Sequence, residues 1–172
     1  MLMIEFRYVV RLATSVDLDA IRAALACAID WREPSVTATP EKRIEETGHA
    51  YLLAQWGRKG DTAVVAESTA GPVGAAWYRY WTEAVHSYGY IDPVTPELGI
   101  GVDPRFRGQG VGSSLLSCLL ETAVSQGVRA ISLSVECDNP ALHLYERFSF
   151  VRYNRIGNAW IMHKRFEGKH RR

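Results

Sequence analysis

Three glycines at alternate positions join a β-rich run to an apolar helix: Gly108, Gly110 and Gly112. The run before them, ELGIGV at 97–102, is typical of a strand, and VGSSLLSCLLETAVSQ at 111–126 has the apolar spacing of a helix. The first N–H groups of a helix lack partners and carry the positive end of its dipole. Because glycine has no Cβ, it leaves these groups open to an anion, so the segment predicts a phosphate-binding turn.

The residues around these glycines refine that prediction. Arg105 and Arg107 add positive charge before the turn, and Ser113 adds a hydroxyl in the first turn of the helix. A P-loop would need a lysine after the last glycine, and none follows. A dinucleotide fingerprint needs G-x-G-x-x-G, but here the third glycine comes one residue early. Both of these nucleotide-binding classes are therefore disfavoured.

The other hydrophobic patterns predict a single domain with the order β-α-α-β-β-β-α-β-α-β-β. Strands are expected at 7–14, 61–68, 73–81, 97–102, 128–136 and in two runs around a turn at 157–158. Helices are expected at about 18–29, 41–56, 111–126 and 139–148. No repeat or linker interrupts the pattern, so we expect one domain over 1–172, with its core at about 7–166 and a basic tail at 167–172.

Charge and cysteine content narrow the functional classes. Twenty basic and nineteen acidic residues leave a net charge of +1, which disfavours nucleic-acid and membrane-surface binding. The three cysteines, Cys27, Cys118 and Cys137, are odd in number and lack CxxC spacing, so we expect free thiols in a reducing cytoplasm and no metal site. The charged start of the chain, residues 1–12, is typical of a strand rather than of a signal peptide or membrane span.

Two motifs carry a resemblance to a known family. The segment VDPRFRGQGVGSSLL resembles the acyl-CoA signature of the GNAT N-acetyltransferase superfamily, [Q/R]-x-x-G-x-[G/A]. Its matching positions are Arg107, Gly108, Gln109, Gly110, Val111 and Gly112. A second stretch, DNPALHLYERFSF at 138–150, is similar to the family's Asn–Ala–Leu-Tyr signature. The order of elements also matches, so the resemblance covers nearly the whole chain.

The resemblance implies a fold and a cosubstrate. The fold is α/β (α+β): a mixed, mostly antiparallel twisted sheet of about seven strands flanked by about four helices. The cosubstrate is acetyl-CoA, with its pyrophosphate held by backbone amides from Gly108 to Ser113. Ile100 and Val102 would pair with the pantetheine arm as if it were a strand, and Asn139 would contact the cofactor. A bulge at 99–101 would open the gap that admits this arm.

The resemblance also implies an activity, the direct transfer of acetyl from acetyl-CoA to a primary amine. The amine would belong to a small molecule, or to the N-terminus or a lysine of a protein. A non-catalytic CoA-binding or partner-binding module on the same fold is the alternative. Family habit also suggests a homodimer.

The chain departs from the family pattern at two places. Ser149 stands where the second signature usually has glycine, in a turn beyond the tyrosine. The spacing from Asn139 to Tyr145 is one residue shorter than in many members, which weakens the assignment of Asn139 as a cofactor contact.

Amine acylation needs a neutral nucleophile, and a lysine-like amine with a pKa of about 10.4 is almost fully protonated at pH 7. A general base is therefore useful. Glu97, at the start of the strand beside the expected thioester, is the first candidate; His86 and water are the alternatives, and Glu97 could instead be a solvent-facing carboxylate. Tyr145 matches the family's proton donor to the departing sulfur. Because a phenol with a pKa of about 10 is a weaker acid than a thiol with a pKa of about 8.5, stabilisation of the thiolate by a hydrogen bond is the alternative role.

Aromatic residues crowd the region from 77 to 90. Alternation along a strand sends Trp77 and Trp81 to the face opposite Tyr80. One of these sets, together with Tyr88 and His86 from the following loop, is a candidate lining for the amine pocket. Ordinary core packing is the alternative for both sets.

Overall fold

A computed structural model describes residues 8–34 and 37–167, and its centre is one seven-stranded sheet. The strands are β1 (Tyr8–Leu12), β2 (Thr62–Ser68), β3 (Gly71–Arg79), β4 (Glu97–Val102), β5 (Ala130–Glu136), β6 (Val151–Ile156) and β7 (Ala159–Arg165). The helices are α1 (Leu18–Ile29), α2 (Pro40–Glu46), α3 (Val111–Ser125) and α4 (Ala141–Arg147). Short 3-10 turns lie at Ser15–Asp17, Ala50–Leu53 and Pro104–Phe106.

The predicted order of strands and helices is confirmed, with one helix shorter than expected. The helix predicted at 41–56 ends at Glu46, because Gly48 turns the chain with a φ of +73° and a separate 3-10 turn follows at Ala50–Leu53. The expected strand character of residues 1–7 and the basic tail from 168 lie outside the described residues.

Two layers of core cover the two faces of the sheet. Alternate residues of β2 and β3 divide between them, as a period of two requires. Val64 and Tyr78 pack on the α3 side, whereas Val65 and Trp77 pack on the side of α1 and α2. The alternation predicted for Trp77 is therefore confirmed, and it places Trp77 under α1.

The sheet is almost divided between β4 and β5. The strand order is β1-β2-β3-β4-β5-β7-β6, and all neighbours are antiparallel except β4 and β5. These two parallel strands share one pairing, Glu97 with Ser132. From Leu98 onward, the β5-facing edge of β4 has no strand partner among the described residues. The gap that was expected is present.

The bulge expected at Gly99 and Gly101 is wrong. The pairing of β3 with β4 runs without a register shift over the whole of β4. Gly99 is required instead because a Cβ there would lie 2.5 Å from the Trp77 ring. At Gly101 a Cβ would overlap the carbonyl of Ala24, so this glycine lets α1 rest directly on the strand.

The departure at Ser149 also has a structural meaning. Its φ is +64°, in the left-handed region that glycine enters freely. The fold therefore keeps the conformation of the family's glycine, at a cost to serine of about 1 kcal/mol.

No helix within 8–34 and 37–167 is long and apolar enough to cross a bilayer.

Candidate active site

The glycine segment forms an open turn before α3. Gly108 and Gly110 have φ values of +70° and +83°, and Gly110 is the residue that precedes the helix. Gly112 has ordinary helical geometry, and a Cβ there would meet only Leu144 and Val102, at 3.5 and 3.9 Å. The first two glycines are thus needed by the backbone. Gly112 is not, and its missing side chain leaves free space beside the turn.

The two arginines near this turn are already engaged within the protein. Arg107 donates hydrogen bonds to the backbone carbonyls of Val102 (3.1 Å), Trp31 (3.3 Å) and Cys27 (3.0 Å). Arg105 forms an ion pair with Asp103 at 2.7 Å. Arg107 therefore ties the end of α1 to the end of β4, and the interpretation of both arginines as free charges for a phosphate needs correction.

A cavity of about 320 Å³ leads from this turn into the gap beside β4. Its walls include the predicted residues Ile100, Val102, Arg107, Gly112, Asn139 and Tyr145. The two motifs, at 102–116 and 138–150 in the chain, thus meet around one space. We call it the cofactor cavity.

Asn139 lies just before α4, and Tyr145 lies within it. The side-chain oxygen of Asn139 accepts a hydrogen bond from the backbone N–H of Ala141 at 2.9 Å, which leaves its amide nitrogen for another partner. The Tyr145 side chain is 6% exposed, and no described residue forms a hydrogen bond with its hydroxyl. Burial raises the pKa of this phenol. It is therefore suited to donate a hydrogen bond rather than to release its proton.

A second cavity, of about 430 Å³, adjoins the first. Both are lined by residues at the gap: Ala28, Trp31, Leu98, Gly99, Ser134, Val135 and Asn139. The walls of the second cavity also come from α1, β3, the segment after α2 and the loop before β4. We call it the acceptor cavity.

Glu97 lies in the acceptor cavity, at the point where β4 and β5 still pair. Its Oε1 accepts a hydrogen bond from the Gly89 N–H at 2.8 Å, whereas its Oε2 is buried with no hydrogen-bond partner among the described residues. Burial raises the pKa of this carboxyl to about 7, against the opposing effects of the Gly89 hydrogen bond and of the nearby Ser87 and Trp81 side chains. Glu97 can therefore accept and release a proton near neutral pH.

The aromatic residues predicted for the acceptor pocket are only partly brought together. Trp77, Trp81 and Tyr88 line the acceptor cavity. Tyr80 does not, because it points to the α3 face of the sheet and borders a different depression there. His86 also lies outside, exposed and stacked on Tyr90 at 4.5 Å. Of the two side-chain bases considered, only Glu97 faces the cavity.

Most of the residues that line the acceptor cavity were not predicted, and three polar ones among them bear on its chemistry. His49 lies against Tyr88, and burial lowers the pKa of its imidazole. Arg79 is buried at the base of the cavity, and Ser134 lies where the two cavities join. Alternation along β3 puts Arg79 on the same face as Trp77 and Trp81. This was the one sequence signal that could have predicted Arg79 as a cavity residue. Within the described part of the chain, no cluster of three or more histidine, cysteine or acidic residues could hold a metal ion.

The chain matches a known family and several known proteins. Residues 26–150 match the sequence model described as the acetyltransferase (GNAT) family. A Bacillus subtilis protein provisionally named phosphinothricin acetyltransferase YwnH is 34% identical over 170 residues, covering 92% of this chain and 94% of that protein. The L-2,4-diaminobutyric acid acetyltransferase of Nocardia farcinica is 30% identical over 106 residues, which are 59% of this chain. The match covers only 49% of that relative's length.

Solved structures share the fold. The PaiA N-acetyltransferase of Thermoplasma acidophilum, solved in complex with coenzyme A, aligns over 93% of this chain and 99% of its own. The TM-score is 0.68 at 15% sequence identity. At this identity the likeness concerns the fold.

Proposed function

The chain belongs to the acetyltransferase (GNAT) family, and from this we propose that it transfers the acetyl group of acetyl-CoA directly to a primary amine. The observation that carries the proposal is Glu97, a buried carboxyl with a free oxygen and a pKa of about 7, beside the junction of the two cavities. A module that merely bound CoA would have no use for such a group.

The described residues fit acetyl-CoA as the cosubstrate. The turn at Gly108 and Gly110 presents backbone N–H groups at the start of α3, where an anion such as the pyrophosphate is stabilised. The free edge of β4, including Ile100 and Val102, offers main-chain groups to an extended amide-bearing arm. Acetyl-CoA, when bound, supplies the acetyl group as a thioester. Asn139 lies in both cavities and is placed to contact it.

Glu97 deprotonates the amine. An amine that enters as the ammonium ion gives a proton to the free Oε2, which becomes part of a neutral carboxylic acid. The nitrogen lone pair then attacks the thioester carbonyl, so that a C–N bond forms and the C–S bond breaks. The second proton of the attacking nitrogen leaves to solvent, and Glu97 releases its own proton after the product departs.

Tyr145 stabilises the departing sulfur. Its side chain lines the cofactor cavity, and its hydroxyl has no hydrogen-bond partner among the described residues. Because its pKa is raised, we propose that it donates a hydrogen bond to the thiolate, while the proton that completes the thiol comes from solvent. This revises the proton-donor role that the family resemblance implied.

Acetyl-CoA-dependent release of free thiol, measured with a panel of amines and checked by the mass of the acetylated product, tests the function. We expect release that depends on both substrates and is lost in Glu97→Gln at neutral pH. Tight binding of acetyl-CoA without acetylation of any amine would favour the alternative, a non-catalytic CoA-binding module. A homodimer and a cytoplasmic location are further parts of the proposal, tested by light scattering and by cell fractionation.

A further inference from the structure

The charges around the acceptor cavity select among amines. We propose that the preferred acceptor is a primary amine with an aromatic or apolar body and no acidic group, an inference that rests on the acetyl transfer proposed above. Three observations on the described residues support it: the one arginine that lines the cavity is neutralised, an oxygen of the Glu97 carboxyl has no partner, and the walls are largely aromatic and aliphatic.

Arg79 is the sole lysine or arginine that lines the cavity within residues 8–34 and 37–167. Its guanidinium forms two hydrogen bonds with the Asp61 carboxylate, at 2.9 and 2.6 Å, and both side chains are buried. It also donates to the carbonyls of Leu52 and Ala54, at 3.0 and 2.9 Å. Four of its five N–H groups are thus engaged and its charge is cancelled locally, so it offers little to an anionic substrate.

The other ionisable groups that face the cavity do not supply positive charge. Burial lowers the pKa of His49, which disfavours the charged imidazolium. Glu136 is held at the mouth by an ion pair with Arg32, and Arg32 is shared with Asp138. Glu97 also lines the cavity, and its buried Oε2 has no hydrogen-bond partner among the described residues. The cavity therefore favours a hydrogen-bond donor or a cation and disfavours an anion.

The walls determine what the amine must carry. Trp31, Trp77, Trp81 and Tyr88 face the cavity, together with aliphatic residues of α1 and the start of β4. Such walls stabilise apolar surface, and aromatic faces also attract an ammonium group within about 6 Å of the ring. A carboxylate placed among them would lose its hydration without gaining a counter-charge.

These features separate the chain from relatives named for acidic substrates. Both phosphinothricin and 2,4-diaminobutyric acid carry at least one acid group besides the amine, and relatives named for them match this chain. In the described residues here, the acceptor cavity contains no unpaired cation that could hold such a group. A preference for amines without an acidic group and a preference for the acidic substrates of these relatives therefore predict opposite results in the same assay.

The test compares amines that differ by one carboxylate. 2-Phenylethylamine and L-phenylalanine share the ring, the chain length and the primary amine. We expect kcat/KM to be at least 100-fold higher for 2-phenylethylamine, which corresponds to about 2.7 kcal/mol. Phosphinothricin is assayed in parallel and should resemble L-phenylalanine. The α-carboxylate lowers the pKa of the neighbouring amine, so protonation alone would favour the amino acid, against the expected result.

A variant tests whether charge is the cause. Asp61→Asn keeps the size of the side chain but removes the charge that neutralises Arg79, so the preference for 2-phenylethylamine should fall at least threefold. Thermal melting establishes that the variant is folded. An unchanged ratio in a folded variant would overturn the electrostatic explanation. Since this buried variant could lose stability, the comparison of substrates with the wild-type protein stands by itself.

The other outcomes separate this inference from the function on which it rests. Equal or better turnover of L-phenylalanine or phosphinothricin overturns the inference and leaves acetyl transfer intact. Acetylation confined to other classes, such as peptide N-termini or aminoglycosides, has the same meaning. If acetyl-CoA binds and no amine of any class is acetylated, both the inference and the proposed function fail.

Discussion

At the scale of single residues, burial sets the chemistry of the two candidate catalytic groups in complementary ways. Desolvation raises the pKa of Glu97 to about 7, into the range where a base exchanges protons with solvent. Desolvation also raises the pKa of Tyr145, away from that range. One residue is therefore suited to move a proton, and the other to hold its proton while hydrogen bonding to developing negative charge.

Replacement of Tyr145 by phenylalanine keeps the ring, its edge-to-face contact with Phe150 and its place in α4. If the hydroxyl meets the sulfur as charge builds on it, kcat should fall by about 10- to 1,000-fold while KM for acetyl-CoA changes little. Steady-state kinetics and a thermal melt on one preparation measure both effects. Since no described residue pairs with the hydroxyl, we expect no loss of melting temperature. A normal kcat would remove Tyr145 from the mechanism.

The pH dependence of Glu97→Gln tests the base. At pH 7 and below, we expect kcat/KM to fall by about 100- to 1,000-fold, because the variant uses only the small fraction of amine that is already neutral. The loss should shrink as the pH approaches the pKa of the amine. Losses that are equal from pH 6 to pH 9.5 would show that Glu97 is not the base.

The stability of the same variant provides an internal control. A carboxyl whose folded pKa is raised from 4.5 to about 7 contributes stability below pH 4.5 that is lost as the pH rises through 7. The wild-type protein should therefore lose up to about 3 kcal/mol between pH 5 and pH 8 that Glu97→Gln retains. Denaturant unfolding at the two pH values measures the difference. Parallel stabilities would mean that the carboxyl is solvated.

At the scale of secondary structure, the turn before α3 and the first residues of that helix form the candidate anion site. One glycine in this segment can be replaced without straining the backbone. A valine at Gly110 would be strained by a φ of +83°, so lost binding would be ambiguous. Gly112 has ordinary helical geometry, with free space around its Cα. A side chain added at this residue would occupy space in the cofactor cavity without straining the backbone.

Gly112→Val should weaken acetyl-CoA binding at least tenfold, about 1.4 kcal/mol, because its methyl groups enter the cofactor cavity. Gly112→Ala is the matched control. The family signature admits alanine there, so we expect near-normal affinity and a stability gain of about 0.5–1 kcal/mol from the helical residue. Calorimetric titration gives both affinities. Unchanged binding by folded Gly112→Val would disprove the placement of the cofactor.

The elements were largely predictable from the sequence, and the residues that share the acceptor cavity were not. Alternation and helical spacing are local patterns, so they identified the strands and the helices. Two short motifs identified the residues on the cofactor side of the site. His49, Arg79 and Ser134 come from segments far apart in the chain, and only tertiary packing brings them together. Alternation likewise separated Tyr80 from Trp81 but could not tell which face would be covered by α1.

At the scale of the whole molecule, the sheet consists of β1–β4 and β5–β7, joined by one strand pairing and by the shared core beneath α3. A ligand in the gap adds contacts to both parts, so its binding should stabilise them together. Coenzyme A at 100 times its Kd should raise the unfolding free energy by about 2.7 kcal/mol. Hydrogen exchange should slow at 98–102 and 134–136, and be unchanged in the edge strand β6. Protection confined to the start of α3 would contradict insertion between the strands.

This gap also affects how fast the protein can work. If the coenzyme lies in the sheet as a strand would, its main-chain hydrogen bonds to β4 must break one after another before it can dissociate. The free thiol product keeps nearly all of those bonds after the acetyl group has gone. Product release, rather than acyl transfer, is then the rate-limiting step of the cycle. Its rate depends on the length of β4 that the pantetheine arm covers.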